Sequence, residues 1–193
     1  DHFNIRPILL VRHPAAVAGS SLQFGNHFSW HRQVNGFPMP KSPFTENIHA
    51  QYAHLHPHIN TPEKVLAYQW GVQYNYLIHH HYNNTRWLTV AYESLYENPE
   101  FEYQRIFNWI QEPVPSDLIQ NHKEVSINSR KASTEKAVQE GTQLSKWRSQ
   151  LTPRQQKDLF ELLENMGISF YTRQERPDYG ILYSRNKQYA QTD

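Results

Sequence analysis

Apolar and polar positions in the first half of the chain predict strands and helices in turn. Residues 8–11 are a short continuous apolar run, which is typical of a strand buried on both faces of a parallel sheet. Pro14 suits the first turn of a helix that we predict to extend to about residue 23. A longer helix is predicted from its N-cap Thr61 to about residue 81, and a second strand over residues 86–92. This order of strand, crossover helix and strand indicates an α/β fold with a parallel sheet.

The second half of the chain is predicted to be mainly helical. A helix that begins after Asn98 carries an apolar stripe, which we predict to pack in the core: Tyr103, Ile106, Phe107 and Ile110. Thr152 starts the clearest helix with a capping-box pattern and a proline in the first turn, and Gly167 ends it. The buried face of that helix is predicted to consist of Leu159, Leu162, Leu163 and Met166.

Two stretches of weak periodicity set the predicted domain organisation. Residues 24–60 are rich in Phe, His, Pro, Asn and Gly, and an irregular segment of this length is typical of a functional loop or lid. Residues 173–193 are polar and rich in Tyr, and we predict that they form a C-terminal tail. Residues 1–172 are accordingly predicted to be a single α/β domain that includes the aromatic-rich loop.

The composition limits the kinds of molecule that the chain is expected to bind. The 193 residues include 19 basic and 18 acidic side chains, for a net charge of +1, so we expect no extended surface for nucleic acid or anionic lipid. Cysteine is absent from the sequence, which excludes disulfides, thiolate zinc sites and a cysteine nucleophile but leaves the compartment open. No apolar run approaches the roughly 20 residues that a membrane-spanning helix needs. Any recognition of an anion must therefore be local.

A candidate anion site follows the first predicted strand. Arg12 lies at the carboxyl end of that strand, where ligands bind in open α/β sheets, and Ser20 follows eight residues later. A guanidinium pairs with phosphate oxygens through two hydrogen bonds, and the start of the next helix adds free N–H groups and a positive dipole end. The alternative is that Arg12 pairs with a carboxylate and that Ser20 is an ordinary helix residue.

Three segments resemble sulfotransferases that use 3′-phosphoadenosine 5′-phosphosulfate (PAPS) as donor. Arg12, Pro14 and Ser20 are similar to the Arg-x-Pro-(x)5-Ser element that holds the 3′-phosphate in that family. Residues 92–99, YESLYENP, resemble the family's Tyr-Glu-x-Leu element, whose tyrosine approaches the adenine. Residues 146–153, KWRSQLTP, resemble the family's Trp-(Lys/Arg)-x-x-Leu-(Thr/Ser)-Pro element, which leads into the last helix.

The resemblance covers about residues 5–170 and implies both a fold and a set of binding residues. The implied fold is a P-loop-NTPase-like three-layer parallel sheet flanked by helices. The family's Arg-Lys-Gly loop is reduced here to Glu-Gly-Thr at residues 140–142, so its cation would come from a neighbouring polar segment. The implied cofactor-binding residues are Arg12, Ser20, Tyr92, Ser126, Arg130 and Lys131.

One part of the family pattern is missing from the sequence. The phosphosulfate-binding loop and the catalytic base should lie some tens of residues upstream of Arg12, and no Gly-rich, Lys-bearing turn precedes it. The sequence is therefore interpreted as lacking the N-terminal strand and the phosphate loop of that fold. No catalytic residue is assigned, and we predict that the chain alone binds nucleotide poorly.

The implied activity is transfer of a sulfuryl group from PAPS to a hydroxyl or amine. A carbohydrate or a small molecule is the expected class of acceptor, and neither a metal nor a nucleic acid is expected to take part. The candidate acceptor contacts are the aromatic residues of the loop: Phe28, Trp30, Phe37 and Phe44. The alternative for this loop is an insertion that packs its own aromatic side chains.

Two other classes of function remain open. One is a non-catalytic nucleotide-binding or interaction domain derived from a sulfotransferase. The other is a histidine-rich metal module, since His54, His56 and His58 would share one side of an extended segment to which residues 79–81 could add ligands. Pro57 interrupts that segment, and the spacing does not ensure that the ligands converge. A P-loop kinase is disfavoured, because the sequence has no Walker-type lysine loop.

Overall fold

The computed structural model describes residues 5–23, 43–118 and 142–184, which form a mixed, mostly helical α/β structure. Within these residues the sheet consists of strands β1 (Ile8–Val11) and β2 (Leu88–Ala91). The longer helices are α1 (Pro14–Gln23), α2 (Pro43–Gln51), α3 (Pro62–His79), α5 (Pro99–Ile110) and α8 (Pro153–Asn165). The shorter ones are the 3-10 helix Ala53–His58, α4 (Tyr92–Glu97), α6 (Thr142–Ser145), α7 (Trp147–Gln150) and α9 (Tyr179–Leu182). None of these helices is long and apolar enough to cross a membrane. The predicted α/β class is confirmed at this level.

The two strands pair in parallel. Ile8 lies opposite Leu88 and Val11 lies opposite Ala91, so both strands end at the same edge of the sheet. Helices α1 and α3, both predicted from the sequence, connect the two strands along the chain. The residues that follow β1 and β2 therefore emerge side by side, which is the arrangement on which the candidate site depends.

Helix α3 lies alongside β1 and runs in the opposite direction. The Trp70 indole N–H donates a hydrogen bond of 3.0 Å to the main-chain oxygen of Arg12. One turn further along the helix, the Tyr74 hydroxyl donates to the main-chain oxygen of Leu10 at 3.3 Å. Since the later helix residue bonds the earlier strand residue, α3 returns the chain across the sheet as a crossover between parallel strands must.

Strand β1 is confirmed as a strand, but it is less buried than its apolar sequence predicts. Val11 is fully buried, whereas Ile8 is 42% exposed and Leu10 is 50% exposed. Alternate side chains of a strand point to opposite faces, and among the described residues only the face of Leu9 and Val11 packs against the core. The prediction that β1 is buried on both faces is wrong for this reason; β2, in contrast, is buried along its whole length.

Helix α3 also forms the centre of the hydrophobic core. It packs against α1 and α8, and its buried side chains include Val65, Tyr68 and Trp70. Gly71 permits a close approach of the chain that follows α8, because a Cβ at this position would lie 2.7 Å from the Met166 methyl carbon. Any larger residue at position 71 would force the Met166 and Ile168 side chains to move within a densely packed interior.

Helix α8 matches its prediction at its start, its buried face and its end. Thr152 Oγ1 accepts a hydrogen bond from the Gln155 main-chain N–H, and the Gln155 side chain accepts one from the Thr152 N–H. The predicted apolar face is buried: Leu159, Leu162, Leu163 and Met166. Gly167 has a φ of 76°, a left-handed conformation that ends the helix and suits glycine.

Helix α5 buries a carboxylate instead of the apolar stripe predicted there. The predicted stripe is only partly buried: Tyr103, Ile106, Phe107 and Ile110. Glu102 is fully buried and accepts hydrogen bonds of 2.6 Å from the Ser94 hydroxyl, the Tyr183 hydroxyl and the Arg105 guanidinium. This polar cluster joins α5 to α4 and to the end of the described chain. The predicted stripe is half-buried and lies outside the hydrophobic core of the described residues, so the prediction that it packs in the core is wrong.

The described part of the predicted tail packs against the domain. Leu182 is fully buried, and its main-chain oxygen accepts hydrogen bonds from the side-chain amides of Asn83 and Asn84. These contacts join residues nearly a hundred positions apart, so the polar composition of residues 173–193 does not reveal them. Residues 173–184 therefore pack on the rest of the described structure, and residues 185–193 lie outside the described part of the chain.

The described part of the predicted 24–60 loop is helical. Helix α2 and the 3-10 helix occupy most of residues 43–58, and Tyr52, Leu55 and Ile59 are buried in the core. The prediction of an irregular segment is wrong for this portion, because aromatic and apolar residues anchor it on α3. Of the candidate acceptor contacts, Phe28, Trp30 and Phe37 lie outside the described residues, as does the side chain of Phe44.

Candidate functional site

The ends of the two strands bring Arg12 and Tyr92 into contact. Arg12 directly follows β1, and Tyr92 directly follows β2. The guanidinium carbon of Arg12 lies 4.4 Å from the centre of the Tyr92 ring, which is a cation–π contact. The two residues that the sequence predicted as phosphate and adenine contacts are thus neighbours at one edge of the sheet.

The Arg12 guanidinium keeps hydrogen-bonding capacity for a further partner. The main-chain oxygen of Arg12 accepts a hydrogen bond from Trp70. The guanidinium Nε, in contrast, is buried and has no hydrogen-bond partner among the described residues. Within the same part of the chain, Arg12 forms no salt bridge. A buried donor without a partner costs on the order of 1–3 kcal/mol, and an anion that accepted from it would recover this cost. The alternative that Arg12 pairs with a carboxylate finds no support in these contacts.

Glu93 connects the turns that follow the two strands. Its Oε1 accepts a hydrogen bond of 2.8 Å from the His13 main-chain N–H, and its Oε2 accepts one of 2.6 Å from the Tyr171 hydroxyl. The side chain is buried, and this burial raises the pKa of the carboxyl group, while the two hydrogen bonds and the charge of Arg12 act in the opposite direction. One carboxyl group therefore joins the turn after Arg12 to the turn after Tyr92.

His13 is a buried, neutral ring. It stacks on Trp147 with ring centres 4.8 Å apart, and its Nε2 lies 3.1 Å from the Thr172 oxygen and 3.0 Å from the Gln174 oxygen. Since both partners are carbonyl oxygens, Nε2 carries the proton. Burial, with a smaller contribution from the nearby charges of Arg148 and Arg12, lowers the pKa of His13 to about 4 against the two carbonyl hydrogen bonds, which raise it, so the ring is uncharged at neutral pH. The contact also brings the tryptophan of the 146–153 element next to the candidate site.

The other predicted site residues are not joined to Arg12 by any contact in the described residues. Ser20 lies in the second turn of α1, six residues after Pro14, which corresponds to about 9 Å along the helix axis. Its side chain is half-buried, and among the described residues no hydrogen bond links it to Arg12. Ser126, Arg130 and Lys131 lie outside the described residues, so their roles stay predictions.

The histidines proposed as metal ligands do not converge on one point, and His56 and His79 have other partners. Residues 53–58 form a 3-10 helix, in which successive side chains are about 120° apart, so His54, His56 and His58 do not share a side as an extended segment would require. His56 Nε2 lies 3.0 Å from the Tyr68 hydroxyl, and His79 Nδ1 donates to the Asn75 oxygen at 2.9 Å. In residues 5–23, 43–118 and 142–184, no three His, Asp or Glu side chains are placed to hold a metal ion.

Three residues at the site had no role assigned from the sequence: Glu93, Trp70 and Tyr171. The signal for Glu93 was its position directly after a buried strand and next to the candidate Tyr92. Trp70 and Tyr171 reach the site through contacts with residues 58 and 78 positions away in the chain. No local pattern could have indicated these two.

The comparisons with known proteins assign neither a family nor a function to this chain. Protein-family models, curated proteins and solved structures yield no match to this chain. Any assignment of function therefore depends on the sequence elements and on the geometry at the ends of β1 and β2.

Proposed function

We propose that this chain is the part of a PAPS-dependent sulfotransferase that binds the nucleotide end of the donor. Arg12 holds the 3′-phosphate and Tyr92 lies against the adenine, while Ser20, Ser126, Arg130 and Lys131 complete the binding site. The proposed fold is the P-loop-NTPase-like parallel sheet, of which β1 and β2 are neighbouring strands. The acceptor is a hydroxyl or amine, with a carbohydrate or a small molecule as its class.

The observation that carries the proposal is the contact between Arg12 and Tyr92. Two parallel strands deliver a guanidinium and a phenol ring to one sheet edge at 4.4 Å, where the Arg12 Nε has no partner among the described residues. A charged phosphate and a flat base on one ligand would satisfy both groups. Recognition of this kind is local, in agreement with a net charge of only +1.

In the proposed reaction, a sulfuryl group is transferred in line from the bridging oxygen of PAPS to an oxygen or a nitrogen of the acceptor. A lone pair of the acceptor forms a bond to sulfur, the bond from sulfur to the bridging oxygen of PAPS breaks, and adenosine 3′,5′-bisphosphate leaves with that electron pair. The acceptor proton passes to a base, for which we assign no residue. Such transfers have a loose transition state and depend on positioning and electrostatic stabilisation. Arg12 contributes uniform donor binding rather than chemistry.

The second candidate function is a nucleotide-binding domain without catalysis. The same contact favours it, because a cation and an aromatic ring at a sheet edge bind a nucleotide whether or not transfer follows. The two candidates predict the same affinity for nucleotide and differ only in sulfate transfer.

A transfer assay with the natural full-length protein separates them. We expect PAPS-dependent sulfation of a hydroxyl or amine acceptor, and Arg12→Ala should raise the KM for PAPS by at least about tenfold while kcat at saturation changes little, as expected for loss of uniform binding. Arg86→Ala is the matched control, since Arg86 also stacks on a tyrosine, Tyr82, at 4.3 Å but precedes β2 at the opposite edge.

Three outcomes are informative. Transfer with an unchanged KM in Arg12→Ala would contradict the role of Arg12. Binding of adenosine 3′,5′-bisphosphate without any transfer would favour the non-catalytic domain. Equal effects of Arg12→Ala and Arg86→Ala would show that stacked arginines affect the protein in general rather than this site.

A further inference from the structure

We infer that Glu93 is a positioning residue, which holds Arg12 and Tyr92 in the relative orientation that the nucleotide requires. The inference rests on the function proposed above, because it names how that same binding site is kept in shape. Glu93 need not touch the ligand. It acts on the two residues that do, through the turns that follow β1 and β2.

The two oxygens of Glu93 are both engaged by groups that define the site. The His13 N–H, which donates to Oε1 at 2.8 Å, belongs to the peptide unit directly after Arg12. Glu93 itself directly follows Tyr92, so its side chain links the two strand ends across the sheet edge. The Tyr171 hydroxyl, which donates to Oε2 at 2.6 Å, fixes the remaining rotation of the carboxyl group. A change at this one side chain would alter the separation of Arg12 from Tyr92.

Burial of the Glu93 carboxyl group costs free energy unless both of its hydrogen bonds are formed. Glu93 is 1% exposed, and among the described residues no cation forms a salt bridge with it. A buried carboxylate without a cation in direct ion-pair contact depends mainly on its hydrogen bonds for stability. The strand ends are therefore held where both donors reach the carboxyl group, and that requirement restricts the freedom of Arg12.

Glu102 provides a comparison within the same protein. It is as deeply buried and accepts three hydrogen bonds, but one of its donors is the cation of Arg105. None of its partners is Arg12, Tyr92 or His13. Two of its partners lie close to the turn after β2, since Ser94 follows Glu93 and the Tyr183 hydroxyl accepts from the Ala91 N–H. A substitution at Glu102 therefore removes a buried carboxyl group of the same kind beside this turn while keeping both hydrogen bonds of Glu93.

The test measures nucleotide binding and Arg12 geometry separately. Adenosine 3′,5′-bisphosphate is titrated into the natural full-length protein as wild type and as the variants Glu93→Ala, Glu93→Gln and Glu102→Ala, well below the lowest unfolding midpoint of the set. We expect Glu93→Ala to weaken binding by at least about tenfold, because small displacements of binding groups have large effects. Glu93→Gln should stay within about threefold of the wild type, since its amide accepts from the His13 N–H and donates to the Tyr171 hydroxyl. Glu102→Ala should lower the unfolding midpoint and leave the Kd unchanged.

The geometry is read in the free protein by NMR. The Tyr92 ring should shift the Nε–Hε resonance of Arg12 upfield, and this shift should disappear in Glu93→Ala and persist in Glu93→Gln and Glu102→Ala. Persistence of the shift and of the Kd in Glu93→Ala would overturn the inference, as would equal losses in Glu93→Ala and Glu102→Ala.

The inference and the proposed function can fail independently. A wild type that does not bind the bisphosphate contradicts the proposed function, and the NMR comparison then decides alone whether Glu93 positions Arg12. If Glu93→Ala does not fold, Tyr171→Phe replaces it, since this change removes one donor to Glu93 and keeps the ring. A ring-current shift that is unchanged in Tyr171→Phe would then overturn the inference, and a reduced shift would support it.

Discussion

Two buried carboxyl groups, Glu93 on the short helix α4 and Glu102 on helix α5, differ in the groups that satisfy them. Glu102 pairs with the Arg105 guanidinium at 2.6 Å, and two hydroxyl groups complete its contacts. Glu93 accepts from a main-chain N–H and a hydroxyl, while the nearby cation, Arg12, is turned toward the Tyr92 ring. The first cluster is complete within the described residues, and the second leaves a guanidinium nitrogen without a partner.

This difference separates a structural cluster from a candidate binding site. In the Glu102 cluster the cation and the anion neutralise each other, and Arg105 also donates to the Thr89 main-chain oxygen, so the charge of Arg105 is already matched within the protein. In the Glu93 cluster the carboxyl group is satisfied by neutral donors, and the cation stays available at the edge of the sheet where ligands bind. The contrast indicates function where burial alone would not, because both carboxyl groups are equally inaccessible to solvent.

The largest effect on the free energy of unfolding is expected from removing the cation of the Glu102 cluster. Arg105→Ala should lower the free energy of unfolding by about 3 kcal/mol, because it leaves the buried Glu102 carboxylate without its cation. Urea unfolding followed by tryptophan fluorescence measures this loss. The nucleotide Kd should not change.

The control for this prediction is the exposed ion pair between Arg176 and Glu97. Arg176→Ala removes contacts of 2.6 and 2.9 Å, but the arginine side chain is 60% exposed, so its loss should cost less than about 1 kcal/mol. Equal losses in Arg105→Ala and Arg176→Ala would contradict the view that burial makes the Glu102 cluster structural.

A smaller effect on the free energy of unfolding is expected from a change in pH, through protonation of His13 beside the candidate site. Burial lowers the pKa of His13 from 6.5 to about 4, so the folded state binds its proton less tightly than the unfolded chain. The contribution of His13 to stability is therefore complete above pH 6.5 and is lost as pH falls toward 4. Between pH 6.5 and 5 the wild type should lose about 2 kcal/mol through this residue.

The variant His13→Gln isolates that contribution. Burial also lowers the pKa of His49 and His80, which adds to the loss in acid, and raises the pKa of Glu93, which opposes it. These groups are present in both proteins, so the difference in slope between the wild type and His13→Gln reports His13 alone. Identical slopes of unfolding free energy against pH would contradict a buried, neutral His13.

The elements that the sequence predicted correctly are those specified by local patterns. Strand β1, helix α1, helix α3 and helix α8 each have an apolar period, a proline in the first turn or a capping residue within a few positions of their ends. The contact between Arg12 and Tyr92 could also be expected, because parallel strands end at the same edge. These predictions require only short stretches of chain and the geometry of a parallel sheet.

The errors concern contacts between distant segments. The burial of Glu102, the packing of residues 173–184 and the hydrogen bonds of Glu93 depend on partners roughly 80 to 100 positions away in the chain, with the exception of Ser94 and Arg105. A polar residue is stable in the core only when distant partners form hydrogen bonds with it, and the composition does not reveal those partners. The exposure of Ile8 and Leu10 has the same origin, since the sequence shows their apolarity but not what covers them.

The central claim is that Arg12 recognises a phosphate on the 3′ position of an adenine nucleotide. Calorimetric titration of the natural full-length protein, as wild type and as Arg12→Ala, with adenosine 3′,5′-bisphosphate and with adenosine 5′-monophosphate tests it most directly, because the two ligands differ only in that group. We predict that the wild type binds the bisphosphate at least about tenfold more tightly and that the two ligands bind equally to Arg12→Ala. A wild type that does not distinguish the ligands, or a preference that survives in Arg12→Ala, would contradict the account.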